Sequence, residues 1–170
     1  VEIWSEGGDT LAVRVTPPPM PGAVPVPVLV EPGQSIPGTD VYDSVAARIA
    51  VQSIVNDGRN GDNCITITFD APPNIGIPRG DWRIELIGRA IADGGFHAWI
   101  DRNNLGYVTW GDAAAGADST TLGVPSTANA AITVANCRPD ASAVQIHPSS
   151  GRGLSRDRRE KPELAAIGTD

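Results

Sequence analysis

The groups in this chain that could do chemistry are two histidines, two cysteines, a cluster of Asp and Asn side chains and one basic run. His97 sits in Phe96-His97-Ala98-Trp99 and alternates with its neighbours as a strand side chain does, whereas His147 precedes Pro148 in a loop. Ser126, Ser142, Ser149, Ser150 and Ser155 supply hydroxyls. Nucleophilic catalysis needs a base held against one of them, and no spacing in the chain provides that. No G-x-S-x-G occurs either. No residue is therefore assigned a catalytic, cofactor-binding or metal-binding role. Asp57, Asn60, Asp62 and Asn63 cluster oxygen ligands of the kind calcium takes, but the spacing is not that of an EF-hand and the same residues build turns. Calcium is the one cofactor this pattern suggests at all.

Cys64 and Cys137 lie far apart and match no metal spacing, so a single disulfide and two buried thiols are both open, and the compartment with them. The run Arg152–Lys161 interleaves Asp157 and Glu160 and lacks aromatics, which reads as a salt-bridged loop rather than a nucleic-acid contact. Four tryptophans, Trp4, Trp82, Trp99 and Trp110, are the largest apolar side chains. Each can bury on the order of 200 Å², as core anchor or as binding surface.

Period-two alternation is the signal that must position these groups. Val1–Ser5 and Leu11–Thr16 alternate on either side of Glu6-Gly7-Gly8-Asp9, predicting a β-hairpin. Residues 17–38 hold eight prolines, so 25–30 is at best an edge strand. Strands are expected at 46–55, 64–70, 81–88, 96–102 and 131–136. With 19 Gly and 15 Pro among 170 residues, the composition favours many short strands with turns between them. The expectation is an all-β chain whose residues 1–118 form an antiparallel β-sandwich or jelly roll, with a boundary in Thr109–Asp118. Residues 119–170 follow as a strand plus a basic loop that cannot make a core of its own.

The formal charge of −7 is uneven: residues 1–150 hold 16 acids and 8 bases, residues 151–170 hold 4 and 5. Nucleic acid and anionic membranes are disfavoured as partners. No run approaches the roughly 18 apolar residues of a membrane helix. The opening on an apolar alternation at Val1–Trp4, and the close at Ala165–Asp170 without a cap or polar tail, predict a segment of a longer protein.

Two stretches of the second part resemble the subtilisin-like serine proteases. Thr121–Ala135 (TLGVPSTANAAITVA) is similar to the segment in which a P-A/S-T-A turn leads into the family's V-I-T-V-G-A strand. Ser149–Thr169 (SSGRGLSRDRREKPELAAIGT) is similar to its S-S-R-G-P-T-x-D-G-R-x-K-P-D-I-x-A-P-G-T, with departures at Gly151, Leu154 and Ile167, and with Ala135 in place of glycine in the first stretch. The part before them resembles the β-sandwich inserted in some bacterial members, such as the Csp-type germination proteases, through 1–4 (VEIW), 80–86 (GDWRIEL) and 94–100 (GGFHAWI). The paired tryptophan strands are also similar to the P domain of kexin-like convertases.

The resemblance implies a non-catalytic segment of a serine endopeptidase. The family's aspartate, histidine and oxyanion asparagine precede such an insert, and its G-T-S-M-A serine follows the K-P-D-I-x-A-P-G-T loop. The chain alone is then expected to be inactive. Its partner would be the rest of the protease domain, or a second copy through residues 120–170. The alternative expectation is a β-sandwich module that binds carbohydrate or protein.

Overall fold

The computed structural model describes residues 1–71, 76–101, 108–111, 119–139 and 143–168. Most of the expected boundary at Thr109–Asp118 lies outside them, as do Ser142 and the end of the strand expected at 96–102. The chain divides into two compact units, Val1–Thr109 and Trp110–Asp170. Among the described residues there are eleven strands and no helix, hence no helix long and apolar enough to cross a membrane.

The first unit contains β1 (Glu2–Ser5), β2 (Thr10–Thr16), β3 (Val28–Val30), β4 (Ser35–Asp40), β5 (Arg48–Ile54), β6 (Asn63–Asp70), β7 (Arg83–Ala90) and β8 (Phe96–Trp99). Five strands make one antiparallel sheet in the order β4-β5-β6-β1-β8, and three make a second, β3-β2-β7. Alternation decides which side chains go in. Ile49, Val51 and Ser53 of β5 and Ile65 and Ile67 of β6 are buried, while Gln52 and Thr68 are exposed. Ile3, Ile49, Val51, Ile65 and Ile67 from the first sheet meet Val13, Val15 and Val30 from the second in a single core, an arrangement consistent with a β-sandwich. Trp82 packs edge-on to Phe69 at that core, with ring centroids 4.9 Å apart.

The proline-rich stretch behaves as expected in part. Val28–Val30 pairs with β2 alone and is an edge strand, and the buried Tyr42 hydroxyl donates to Pro18 O (2.7 Å), tying the stretch to the core. β4 is an unexpected strand. It contains Pro37 and Gly38, lies at the sheet edge and slips register between Ile36 and Thr39, where a missing N–H is tolerated.

The hairpin expected at the start of the chain does not form. β1 pairs with β6 and β8, and β2 pairs with β3 and β7, so the two consecutive strands belong to different sheets. The turn is still there, closed by Asp9 N donating to Glu6 O (3.0 Å), but it carries the chain across the core. What holds this corner is the Asp9 carboxylate, only 1% exposed. Its Oδ1 accepts from Ala92 N (2.6 Å) and Asp93 N (3.0 Å), and its Oδ2 accepts from Gly94 N (2.9 Å). Residues 91–95 are the connection from β7 to β8, which crosses between the same two sheets. Asn63 completes the joint: its amide donates to Glu6 O (3.1 Å) and Asp9 O, and its Oδ1 accepts from Asn56 N (2.8 Å). A Cβ at Gly7 would lie 2.2 Å from Gly61 O, so the two turns approach only because position 7 is glycine.

The second unit contains β9 (Val134–Pro139), β10 (Val144–Ile146) and β11 (Leu164–Ile167), in the order β10-β9-β11. Sequence alternation picks out one strand here and places it at 131–136. Residues 131–133 instead lead into β9, Thr133 Oγ1 donating to Ser126 O (2.7 Å). β9 pairs antiparallel with β10 and parallel with β11, in the register Val134↔Leu164 to Cys137↔Ile167.

Two predictions follow from the first unit. Ile49→Ala should cost about 3 kcal/mol of unfolding free energy in urea denaturation, the range for emptying a fully buried isoleucine site. The three amides hold the Asp9 carboxyl below the usual carboxylate range. Its folded-state value is therefore below its unfolded one, and its contribution is in place above about pH 4 and lost as pH falls through the folded value. Asp9→Asn should lower the urea midpoint at neutral pH and give a flatter acid limb than the parent; an unchanged acid limb would contradict this role.

Candidate functional site

The inward face of the five-stranded sheet is spent on the core, so its chemistry must lie outward. β1 runs between β6 and β8, which puts Trp4 opposite both Cys64 and His97, and Glu2 opposite both Thr66 and Trp99. Their neighbours Ile3, Ser5 and Ile65 are buried, so this second parity faces out. Trp4, His97 and Trp99 thus share one surface, each half-buried. The His97 and Trp99 rings stack at 5.7 Å between centroids, 17° from parallel. Trp4 Nε1 donates to Glu2 Oε1.

Arg59 reaches the same surface from the turn between β5 and β6, its guanidinium 6.0 Å from the Trp4 ring centroid. Asp57 fixes it there: Oδ1 accepts from Arg59 N (2.9 Å) and Nε (2.9 Å), and Oδ2 from Nη2 (2.6 Å). These bonds hold the Asp57 carboxyl down at about 2. Three of the four suggested calcium ligands, Asp57, Asn60 and Asn63, are engaged as turn builders. Asn60 Oδ1 accepts from Asp62 N (3.1 Å), Asn63 is tied into the corner, and Asp57 is taken by Arg59. Among the described residues no three His, Cys, Asp or Glu side chains are grouped to hold a metal ion.

The remaining sequence-level candidates are scattered. Cys64 and Cys137 are free thiols, both buried, and burial pushes the Cys64 thiol up, which disfavours its thiolate. His147 Nδ1 lies 2.7 Å from Ser149 Oγ and accepts from Ser149 N (3.2 Å), an exposed contact between residues two apart that shapes a turn. Ser150 Oγ accepts from Asn136 N (3.0 Å), and Ser155 Oγ donates to Asp157 Oδ1 (2.5 Å). Of the four tryptophans, Trp82 is turned to the core, Trp4 and Trp99 face out together, and Trp110, 38% exposed, belongs to the other unit. Glu2 and Arg59 were invisible as site residues in the sequence, because only the β1–β8 pairing and the fold of the 57–63 turn bring them to the rings.

In the second unit the basic run is a hydrogen-bonded frame. Lys161, almost fully buried, donates from Nζ to Ala131 O (2.5 Å) and to Glu163 Oε1. Glu163 Oε2 accepts from Thr133 N (2.8 Å), and together these donors hold the Glu163 carboxyl at about 2. Arg159 donates to Asp157 Oδ2 (2.6 Å) and to Thr127 O (2.8 Å). A Cβ at Gly153 would lie 1.6 Å from Lys161 O, so only glycine lets these two segments meet.

Around this frame the sheet is poorly covered. Val134 (51% exposed), Leu164 (59%) and Ile167 (60%) stand open on the parallel pair, and Val124 and Ile132 are also exposed. Comparison with protein-family models, curated proteins and solved structures finds no match to this chain.

Lys161→Met should cost about 2 kcal/mol by leaving the Ala131 carbonyl and the Glu163 carboxylate without their donor. The loss should appear as faster proteolysis within residues 119–168, with the first unit's melting unchanged. A single unchanged transition with unchanged proteolysis would contradict it.

Proposed function

We propose that this chain is a non-catalytic part of a subtilisin-like serine endopeptidase, with residues 1–118 an inserted jelly roll and residues 119–170 a piece of the protease scaffold. The observation that carries the reading is the parallel pairing of β9 with β11. These strands come from the two stretches that resemble the family, one holding Val134 and Ala135 and the other Leu164 to Ile167. Parallel pairing is the hallmark of α/β sheets, whose faces are covered by further elements, and such sheets often carry an antiparallel edge strand as β10 does here. The exposed Val134, Leu164 and Ile167 match a sheet whose cover is supplied by further protein. The salt-bridged loop between Ser155 and Glu163 supports the same reading, since it holds the two stretches together through Lys161 and Arg159.

In the whole enzyme, peptide hydrolysis would proceed by attack of a serine hydroxyl on the scissile carbonyl. A histidine takes the proton, an aspartate orients that histidine, and an asparagine donates to the oxyanion. None of those groups is assigned to this chain. The sandwich unit serves the enzyme by bracing the protease body or narrowing access to its cleft.

Reading the gene to either side tests this directly. The expected result is an aspartate, a histidine and an asparagine in subtilase motifs upstream and G-T-S-M-A downstream. Stop codons flanking the segment would overturn the reading. In the full-length enzyme, deletion of the insert should lower the melting temperature or alter peptidase activity; equal values for both would remove the proposed role of the insert.

A further inference from the structure

We propose that the outward face of the five-stranded sheet is a binding platform for a neutral oligosaccharide, centred on Trp4, His97 and Trp99. The inference stands on the first unit alone and is independent of the protease reading. Three aromatic rings from two adjacent strands gather on a surface that the core does not need, and core packing therefore does not explain them. A pyranose ring presents a face of C–H groups carrying partial positive charge, which complements the electron-rich face of an aromatic ring. Its hydroxyls require donors and acceptors around the rim. Glu2 lies directly opposite Trp99 and two residues before Trp4 on the same strand, and the next positions outward on β6 and β5 are Thr66 and Gln52. Arg59, braced by Asp57, adds a fixed guanidinium above Trp4.

The same surroundings argue against a protein partner on this face. The cores of protein interfaces are depleted of Asp and Glu, whereas here the Glu2 carboxylate is bonded to the Trp4 ring itself. The overall charge of −7 turns away anionic glycans, which leaves uncharged sugars as the matching class. Because the platform is a sheet face rather than a cleft, the expected affinity is modest, with Kd on the order of 10–1000 μM.

The test is titration of the full chain with cellotetraose and with N-acetylchitotetraose, followed through the four tryptophan indole N–H resonances. One of the two sugars should shift the Trp4 and Trp99 signals saturably and leave Trp82 in place. Trp99→Ala should weaken binding at least ~10-fold, while Trp82→Phe leaves it unchanged. Should Trp99→Ala fail to fold by circular dichroism, His97→Ala, which removes the stacked partner, carries the same expectation. No shift with either sugar up to about 10 mM, a shift confined to Trp110, full binding by the Trp99 variant, or binding of a heparin fragment alone would each overturn the proposal. So would concentration-dependent self-association that the Trp99 variant abolishes, since that would make the face a protein contact.

Discussion

A single buried carboxylate sets the terms for the first unit. Two sheets can share a core only if the chain crosses between them, and two of its crossings, from β1 to β2 and from β7 to β8, meet at one corner. Asp9 lies in the first crossing and accepts three backbone N–H groups of the second. The three donors are turn amides that no strand partner could satisfy, and the acceptor is an ion that a buried site would otherwise exclude. Each side of the joint resolves the other's problem. Asn63, at the start of β6, locks the same corner from the neighbouring strand.

Once that corner is fixed, the allocation of surfaces follows. The inward parity of β1, β5 and β6 must supply Ile3, Ile49, Val51, Ile65 and Ile67, so the outward parity is left to carry whatever the unit recognises. That is where Trp4, His97 and Trp99 meet. The second unit is built on a different principle. Its interior mixes a few apolar groups, Leu122, Ala135 and Cys137, with a polar frame in which Lys161 and Ser155 are buried and Glu163, Asp157 and Arg159 are bonded around them, while other aliphatic side chains stand on its surface. On the proposed reading, the open faces of this pair are covered by the rest of a protease domain.

Much of the strand content was legible in the sequence, because alternation of β-branched and polar residues is a local property: β2, β5, β6, β7 and β8 all stand where it placed them, to within a few residues. Pairing was not legible. The Glu6–Asp9 turn carries every mark of a hairpin, and only the distant amides of Ala92 to Gly94 convert it into a crossing. β4 was hidden by Pro37, and β10 and β11 by being only three and four residues long. The candidate surface was half visible. The tryptophans were conspicuous and their parity readable, but their gathering depends on β8 lying beside β1, and the Arg59 contact depends on how the 57–63 turn closes.

Native-state hydrogen exchange of the full chain tests the central claim, that the first unit is a self-sufficient body closed by the Asp9 corner while the second relies on added cover. The account predicts that the amides of Ala92, Asp93 and Gly94 exchange together with those of β2, β5 and β6 through global unfolding of the first unit. It also predicts that the amides of β9 and β11 exchange faster, through an opening of their own. Free exchange at Ala92 to Gly94, or protection of β9 and β11 equal to that of β5 and β6, would contradict it.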